Sequence, residues 1–267
     1  MLIPRGAAAA LIAVIAVAPS CATGDADQPT DTRADRVGQL HTEFGSVDGV
    51  AVHGYAPPAM PETDQRPLFE LFLGTDSLGI HAIDAAVDST TGSLLWITPR
   101  GTLWLAPLSN THTGKRALAR RVIPGLATSR GRVAFAQRVV GPETAPFVID
   151  LRTFRRTALT DADGPDEVMG FSPDGSEVLV LSGRTGLASL FALPLAGSNV
   201  RQLTNRGLTP GPTLDTSKVV PSPIDRQHVV WGAGGIGYRA RHNVILIDAS
   251  GMATRFAPGA SVAEVVR

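Results

Sequence analysis

The sequence predicts an all-β fold, a β-propeller of about five four-stranded blades, and three observations support this prediction. The chain has 267 residues, of which 28 are Gly and 20 are Pro, and this content of turn-forming residues indicates many short strands. A strand-like hexapeptide recurs five times along the chain. Further apolar runs flank each copy, so that each unit holds four strands in about 40–45 residues, the size of a propeller blade.

The hexapeptides are expected to form the third strand of each blade. They start 35, 43, 44 and 54 residues apart, with an apolar run before each one and a further strand after a short polar turn. The hexapeptides are Leu68–Leu73, Leu103–Leu108, Pro146–Leu151, Leu190–Leu195 and Val244–Ala249. The runs before them, predicted as second strands, are Val50–Tyr55, Leu94–Thr98, Val133–Gln137, Val178–Ser182 and Val229–Gly232.

The two ends of the chain are predicted to meet in one blade. The first unit has no obvious innermost strand, and the apolar segment Ser261–Val266 lies where a sixth unit would begin. If this C-terminal strand completes the first blade, the ring closes and no open edge is left for pairing with other chains. A ring of six blades is the alternative to five.

One unit carries the clearest repeat signature. Within Asp166–Thr204, the turn Ser172-Pro173-Asp174-Gly175 is preceded by Phe171 and followed by an apolar strand. Pro sets φ for such a turn, whereas Asp and Gly tolerate the tight reversal, so we interpret these four residues as structural. The unit resembles the WD40-like repeat of TolB-type propellers. TolB-type propellers usually have six blades and work through protein contacts in the bacterial cell envelope. The resemblance implies a similar mode of action for this chain.

The N-terminus reads as an export signal. Arg5 precedes an uncharged run of 12 residues, Ala7–Ala18, which is too short for a transmembrane helix of about 20 residues. The only Cys of the chain, Cys21, ends this region and resembles the lipidated Cys of a bacterial lipoprotein. An ordinary secretory signal with a chance Cys is the alternative.

These features divide the chain into three parts. Residues 1–20 are the predicted signal peptide, 21–40 the lipidated Cys and a polar tether, and 41–267 the propeller domain. The resemblance to lipoproteins implies an exported, membrane-anchored protein. Ala22 follows the Cys in place of the Asp that marks inner-membrane retention, which favours the outer membrane, facing the periplasm or the cell surface.

Composition excludes several classes of function. Lys and Arg total 24, as do Asp and Glu, so the formal net charge is zero and a nucleic-acid-binding surface is not expected. A single Cys excludes a disulfide framework and multi-Cys metal sites, and the six His are scattered along the chain. We predict no metal, no cofactor and a monomeric protein.

Three motifs that suggest chemistry have structural explanations. Gly232–Gly237 matches a dinucleotide-binding pattern, but the next segment reads as a strand rather than the required helix. Ser172 lies between strands, whereas a nucleophile elbow needs a strand-to-helix turn. The acidic run Asp161–Glu167 lacks the Glu that would end a calcium-binding loop, and we interpret it as a connection between strands.

Arginines recur in the predicted loops between second and third strands, which crowd onto one end of a propeller. This pattern suggests an anion-attracting binding face, with solvated loop side chains as the alternative. The longest predicted connections, Ala233–His242 among them, fall on this face too. The candidate residues are Arg66, Arg100, Arg138, Arg184, Arg239 and Arg241.

These observations lead to two hypotheses. The first is a lipid-anchored, non-catalytic propeller, TolB-like, that binds an envelope protein or another periplasmic component through its long loops. The second is a propeller enzyme, a lactonase or glycan-acting hydrolase, with a site in the central channel. The second needs carboxylates or His converging from the inner strands, and the sequence shows few there.

Overall fold

The described residues form strands and turns, with a single turn of 3₁₀ helix at Leu108–Asn110. The computed structural model describes residues 40–57, 67–141, 143–160, 165–184, 189–197, 199–203, 229–232, 235–240, 243–247 and 253–256. Over these ranges, twenty strands pair into five antiparallel four-stranded sheets. In this described part of the chain, no helix has the length and apolar character needed to cross a membrane. The predicted all-β propeller architecture is confirmed.

Each sheet uses four strands that are consecutive in the sequence, so each is one propeller blade. Blade 1 contains β1 (Leu40–Val47), β2 (Val50–Ala56), β3 (Phe69–Leu73) and β4 (Asp76–Ala82), and blade 2 contains β5 (Asp84–Asp88), β6 (Ser93–Ile97), β7 (Leu103–Pro107) and β8 (Arg116–Ala119). Blade 3 contains β9 (Val122–Ser129), β10 (Arg132–Arg138), β11 (Thr144–Asp150) and β12 (Arg156–Ala158). Blade 4 contains β13 (Asp166–Phe171), β14 (Glu177–Ser182), β15 (Ser189–Pro194) and β16 (Arg201–Gln202), and blade 5 contains β17 (Val229–Gly232), β18 (Gly235–Ala240), β19 (Asn243–Ile247) and β20 (Ala253–Phe256).

The first strands of successive blades lie side by side. Strand β1 contacts β5, β5 contacts β9, β9 contacts β13, and β13 contacts β17. This is the arrangement of inner strands around a propeller axis. The first strand of each described blade therefore faces the inside of the array, and the fourth strand lies outermost.

Blade 1 already has its innermost strand, contrary to the sequence interpretation. Strand β1 supplies it. It pairs antiparallel with β2, from Leu40 opposite Ala56 to Val47 opposite Val50. This strand contains the polar residues Thr42, Glu43 and Ser46, so it does not stand out in the sequence as an apolar run. The segment Ser261–Val266, proposed to fill that position, lies outside the described residues.

Apolar side chains pack between neighbouring blades. Strand β6 is buried along its whole length, with Leu94 and Trp96 packed towards blade 1 and Leu95 and Ile97 towards blade 3. A strand covered on both faces needs apolar residues at successive positions, which explains the continuous runs seen in the sequence. Phe135, fully buried in blade 3, belongs to the same layer as Leu95.

The fifth blade is shifted by one strand relative to the sequence prediction. Val229–Gly232 forms the first strand, β17, rather than the second. It pairs antiparallel with β18, from Val229 opposite Tyr238 to Gly232 opposite Gly235. Residues 235–240, predicted to belong to a long loop, are therefore the second strand of this blade.

Candidate functional site

One end of the propeller collects the loops between second and third strands and the connections between blades. At this end, which we call the long-loop face, three segments of blades 2 and 3 meet: the β6–β7 loop at 98–102, the β8–β9 connection at 120–121, and the β10–β11 loop at 139–143. Turns joining first to second strands lie at the opposite end because neighbouring strands are antiparallel.

These segments surround a cavity of about 420 Å³. Three exposed arginines, Arg100, Arg121 and Arg138, contribute to its wall, one from each segment or its border. None of the described lining residues is acidic, and none of the three guanidinium groups forms an ion pair within the described residues. The other lining residues are Ile83, Pro99, Gly101, Val122, Ile123, Pro124 and Gly141. The wall therefore combines positive charge with apolar surface.

Backbone hydrogen bonds join the three segments into one unit. The N–H of Arg138 donates to the C=O of Arg121 at 2.9 Å, and the N–H of Val122 donates to the C=O of Gly101 at 2.9 Å. Within the β6–β7 loop, the N–H of Gly101 donates to the C=O of Thr98 at 2.8 Å. These main-chain hydrogen bonds therefore fix the backbone from which the arginine side chains extend.

Arg121 occupies an unusual backbone conformation at the edge of the cavity. Its φ is +60°, in the left-handed region that residues with a Cβ seldom adopt. Beside it, Gly101 has φ +73°, and a Cβ at Gly101 would stand 3.0 Å from the C=O oxygen of Val122. Such outliers cost of order 1–3 kcal/mol and occur often at ligand-binding sites. The tight backbone approach at Gly101 requires a glycine.

The β10–β11 loop presents apolar side chains beside the cavity. Val139 and Val140 are 41% and 68% exposed, respectively, and they lie between the lining residues Arg138 and Gly141 in the sequence. The loop is closed by hydrogen bonds from the N–H of Val139 to the C=O of Glu143 and from the N–H of Glu143 to the C=O of Val140, both 2.9 Å. The two adjacent valines therefore add exposed apolar surface next to the arginines of the cavity.

The structure brings together two of the six arginines predicted from the sequence. Arg100 and Arg138 share the cavity, and Arg121, which sequence reasoning missed, joins them. The sequence prediction concerned arginines between second and third strands, whereas Arg121 lies between a fourth strand, β8, and a first strand, β9. Arg239 lies within β18 rather than in the predicted loop, and Arg66 and Arg241 lie outside the described residues.

Arg184 makes structural contacts within blade 4. Its guanidinium Nη2 lies 2.9 Å from Oδ2 of Asp166, and its Nε donates to Oγ of Ser182 at 2.9 Å. The guanidinium also stacks over the ring of Phe191, with the Cζ atom 5.0 Å from the ring centroid. This arginine holds the β14–β15 loop to the first strand of blade 4.

The turn Ser172-Pro173-Asp174-Gly175 has the hydrogen bonds expected of a structural motif. Oγ of Ser172 donates to Oδ1 of Asp174 at 2.6 Å and accepts the N–H of Glu177 at 2.9 Å. Gly175 has φ +69° and its N–H donates to the C=O of Ser172. The hydrogen bond from the Ser172 hydroxyl, followed by those from the N–H and hydroxyl of Ser176, lowers the pKa of Asp174 to about 2.

Other candidate chemistry is absent from the described part of the chain or lies beyond it. Nε2 of His41 lies 3.0 Å from Nδ1 of His53 on adjacent strands, a pairing not foreseen from the sequence. In the described ranges, no group of three or more His, Cys, Asp or Glu is arranged to hold a metal ion. Cys21, Asp161 and Asp163 lie outside these ranges.

Solved structures share this architecture at low sequence identity. No family model and no curated protein matches the chain. A TolB-type protein from Agrobacterium tumefaciens matches with a TM-score of 0.54 and 14% identity, over 84% of this chain and 83% of its own. An oligogalacturonate lyase in complex with manganese matches with a TM-score of 0.50 and 9% identity, over 77% of this chain and 61% of its own.

The chain spans only part of another matched protein. It covers 48% of TolB from Acinetobacter baumannii, while 72% of this chain is matched, at 16% identity and a TM-score of 0.49. Since the matched folds include an enzyme, the architecture by itself selects no activity. The chain is a β-propeller of the architecture found in the TolB structures.

Proposed function

We propose that this chain is a lipid-anchored, non-catalytic propeller that binds a protein of the bacterial cell envelope through its long-loop face. The observation that carries the proposal is the cavity lined by Arg100, Arg121 and Arg138, with exposed valines beside it. Positive charge and apolar surface on a rigid scaffold suit recognition of another protein.

The chemistry of the cavity favours binding over catalysis. The polar side chains of its wall are those of Arg100, Arg121 and Arg138, and none of the described lining residues is a His, Asp, Glu, Ser or Cys of the kind that serves as general acid, general base or nucleophile. The three guanidinium groups can neutralise and orient a negative group. The cavity is therefore better equipped to hold an acidic partner than to transform it.

The anchor in this proposal rests on the sequence. Cys21 lies three residues after the end of the N-terminal apolar run Ala7–Ala18 and is the only Cys of the chain. Replacing it by Ser, as Cys21→Ser, is expected to abolish acyl labelling and to move the protein from the membrane fraction to the soluble fraction. Continued acyl labelling of the variant would contradict lipidation at this residue.

Capture of an envelope protein tests the binding function. The full-length chain carrying Cys21→Ser, immobilised through a C-terminal tag, is incubated with detergent-solubilised envelope proteins. Captured proteins are identified by mass spectrometry. The test variant carries Arg100→Gln, Arg121→Gln and Arg138→Gln, which remove three charges from the cavity. The control variant carries Arg130→Gln, Arg152→Gln and Arg155→Gln, which remove three exposed charges from the opposite end.

A supporting result is a protein that is captured by the parent and control chains but is reduced at least about tenfold with the cavity variant. Equal capture by all three chains would show that the long-loop face is not the binding surface. Matching circular dichroism spectra and thermal midpoints of the two variants verify that the charge changes left the fold intact.

A further inference from the structure

We infer that the arginine cavity receives one acidic side chain of a peptide segment, and that the apolar residue next to this acid packs on Val139 and Val140. The inference rests on the proposed function and names the chemistry of its partner: an Asp or Glu flanked by an apolar residue. It adds Arg121 as the central binding residue and the β10–β11 loop as the determinant of specificity.

The charge distribution selects a carboxylate. Arg100, Arg121 and Arg138 come from three separate chain segments and line one space, with no acidic residue among the described lining residues. A recess walled partly by apolar groups strengthens the attraction between these cations and an entering anion. Arginine's planar fork also matches the two oxygens of a carboxylate, which gives the bond direction.

The size of the cavity indicates more than a bare ion. About 420 Å³ lies within the range of about 300–1,000 Å³ that is typical of organic-ligand pockets. Ile83, Val122 and Pro124 supply apolar wall against which the methylene groups of an Asp or Glu side chain can pack. A free small anion would leave this surface in contact with water, whereas an acidic side chain covers it.

The rim supplies the second half of the recognition. Val140 is 68% exposed and Val139 is 41% exposed, and the sequence continues from them into the lining residue Gly141. Covering such exposed apolar surface on binding is favourable. A peptide whose acid enters the cavity places its neighbouring residue over this rim, so an apolar neighbour is favoured.

Preorganisation makes Arg121 the central residue. Its C=O accepts the N–H of Arg138, and its neighbour Val122 donates to Gly101, so its left-handed backbone is held in place by both adjoining segments. A backbone that is already ordered loses little conformational entropy on binding, which raises affinity. Replacement of Arg121 is therefore expected to weaken binding more than replacement of a mobile surface arginine.

The test uses a pair of fluorescein-labelled peptides, Gly-Ser-Leu-Asp-Leu-Ser-Gly and its Asn counterpart, both amidated at the C-terminus. Fluorescence anisotropy gives the dissociation constant for the full-length Cys21→Ser chain. We expect the Asp peptide to bind about tenfold more tightly than the Asn peptide. Arg121→Gln should remove this preference, because the paired charge is lost while the side-chain length is nearly kept.

Arg130→Gln is the matched control. Arg130 is exposed and has φ +51°, so it shares both the charge and the left-handed backbone of Arg121, but it lies in the β9–β10 turn at the opposite end of blade 3. The Arg130→Gln variant should bind the Asp peptide with the same affinity as the parent chain. Val140→Ser should weaken the Leu-containing peptide several-fold and leave an Ala-flanked Asp peptide unchanged.

Two outcomes would overturn the inference. Equal binding of the Asp and Asn peptides excludes carboxylate recognition, and equal effects of Arg121→Gln and Arg130→Gln exclude the cavity. An envelope protein captured through the cavity while the Asp peptide fails would leave the proposed function standing without this inference.

Discussion

The guanidinium of Arg184 donates a hydrogen bond of 2.9 Å to the carboxylate of Asp166, and both side chains are withdrawn from solvent, at 11% and 0% exposure. Asp166 begins the inner strand of blade 4, and Arg184 lies in the loop between the second and third strands of the same blade. The pair therefore ties Arg184, just after the end of the second strand, to the inner strand of the blade.

Removing the Arg184 side chain should be costly. Arg184→Ala leaves the buried charge of Asp166 without this partner, and breaking a buried ion pair typically costs about 3–5 kcal/mol. We expect a loss of about 3 kcal/mol in the free energy of unfolding, measured by urea denaturation. Arg155→Ala, at an exposed turn, should change stability by less than about 0.5 kcal/mol, and an equal effect of the two would contradict the pairing.

Asp84 is predicted to couple blades 2 and 3. Its Oδ2 accepts the N–H of Gly125 at 2.6 Å and the N–H of Leu126 at 3.1 Å, within a bulge of β9. Asp84→Ala should cost about 3 kcal/mol or more, since it removes two hydrogen bonds to a charged group, each of which contributes about 1.5–3 kcal/mol. Hydrogen exchange should show faster exchange of these two amides, and Asp76→Ala, on an exposed position, should leave their rates unchanged.

The hydroxyl of Ser172 should stabilise the β13–β14 turn. Ser172 is 6% exposed, and Oγ bridges the carboxylate of Asp174 and the N–H of Glu177. Ser172→Ala leaves that N–H without its hydroxyl acceptor, for an expected loss of about 1–2 kcal/mol in urea denaturation. Ser89→Ala, in the exposed turn of blade 2, is the control, and a loss as large there would argue against a specific role for Ser172.

The same turn should set part of the acid stability. Hydrogen bonds from the Ser172 hydroxyl, and then from the N–H and hydroxyl of Ser176, lower the pKa of Asp174 from 3.8 to about 2. Because the folded pKa is depressed, its contribution to stability is complete above the unfolded pKa of 3.8 and is lost as the pH falls through about 2.

A ¹³C carboxyl titration by NMR checks this value. Ser172→Ala removes the strongest of the hydrogen bonds to Asp174, so the pKa of Asp174 should rise toward 3.8. Asp174→Asn should flatten the dependence of unfolding free energy on pH between about 4 and 2. A wild-type Asp174 that titrates near 3.8 would contradict the hydrogen-bond network.

Local sequence patterns were sufficient for the blades whose strands are continuously apolar. The hexapeptides correspond to β3, β7, β11, β15 and β19, because a third strand buried on both faces must be apolar at successive positions. The signal is weaker for inner strands. Strand β1 has three consecutive polar residues, His41–Glu43, and its pairing with β2 includes a register shift between Glu43 and Gly45 that no local sequence pattern predicts.

The sequence by itself determined the all-β repeat, the blade length, and the presence of arginines in several loops, because strand periodicity and turn chemistry are local properties. Only the tertiary structure decided which arginines share a site. Arg100, Arg121 and Arg138 meet because backbone hydrogen bonds join segments of two blades, whereas Arg184 is withdrawn by a buried carboxylate of its own blade. Charge neutrality over the whole chain therefore conceals a local cationic cavity, since binding depends on where charges are brought together rather than on their sum.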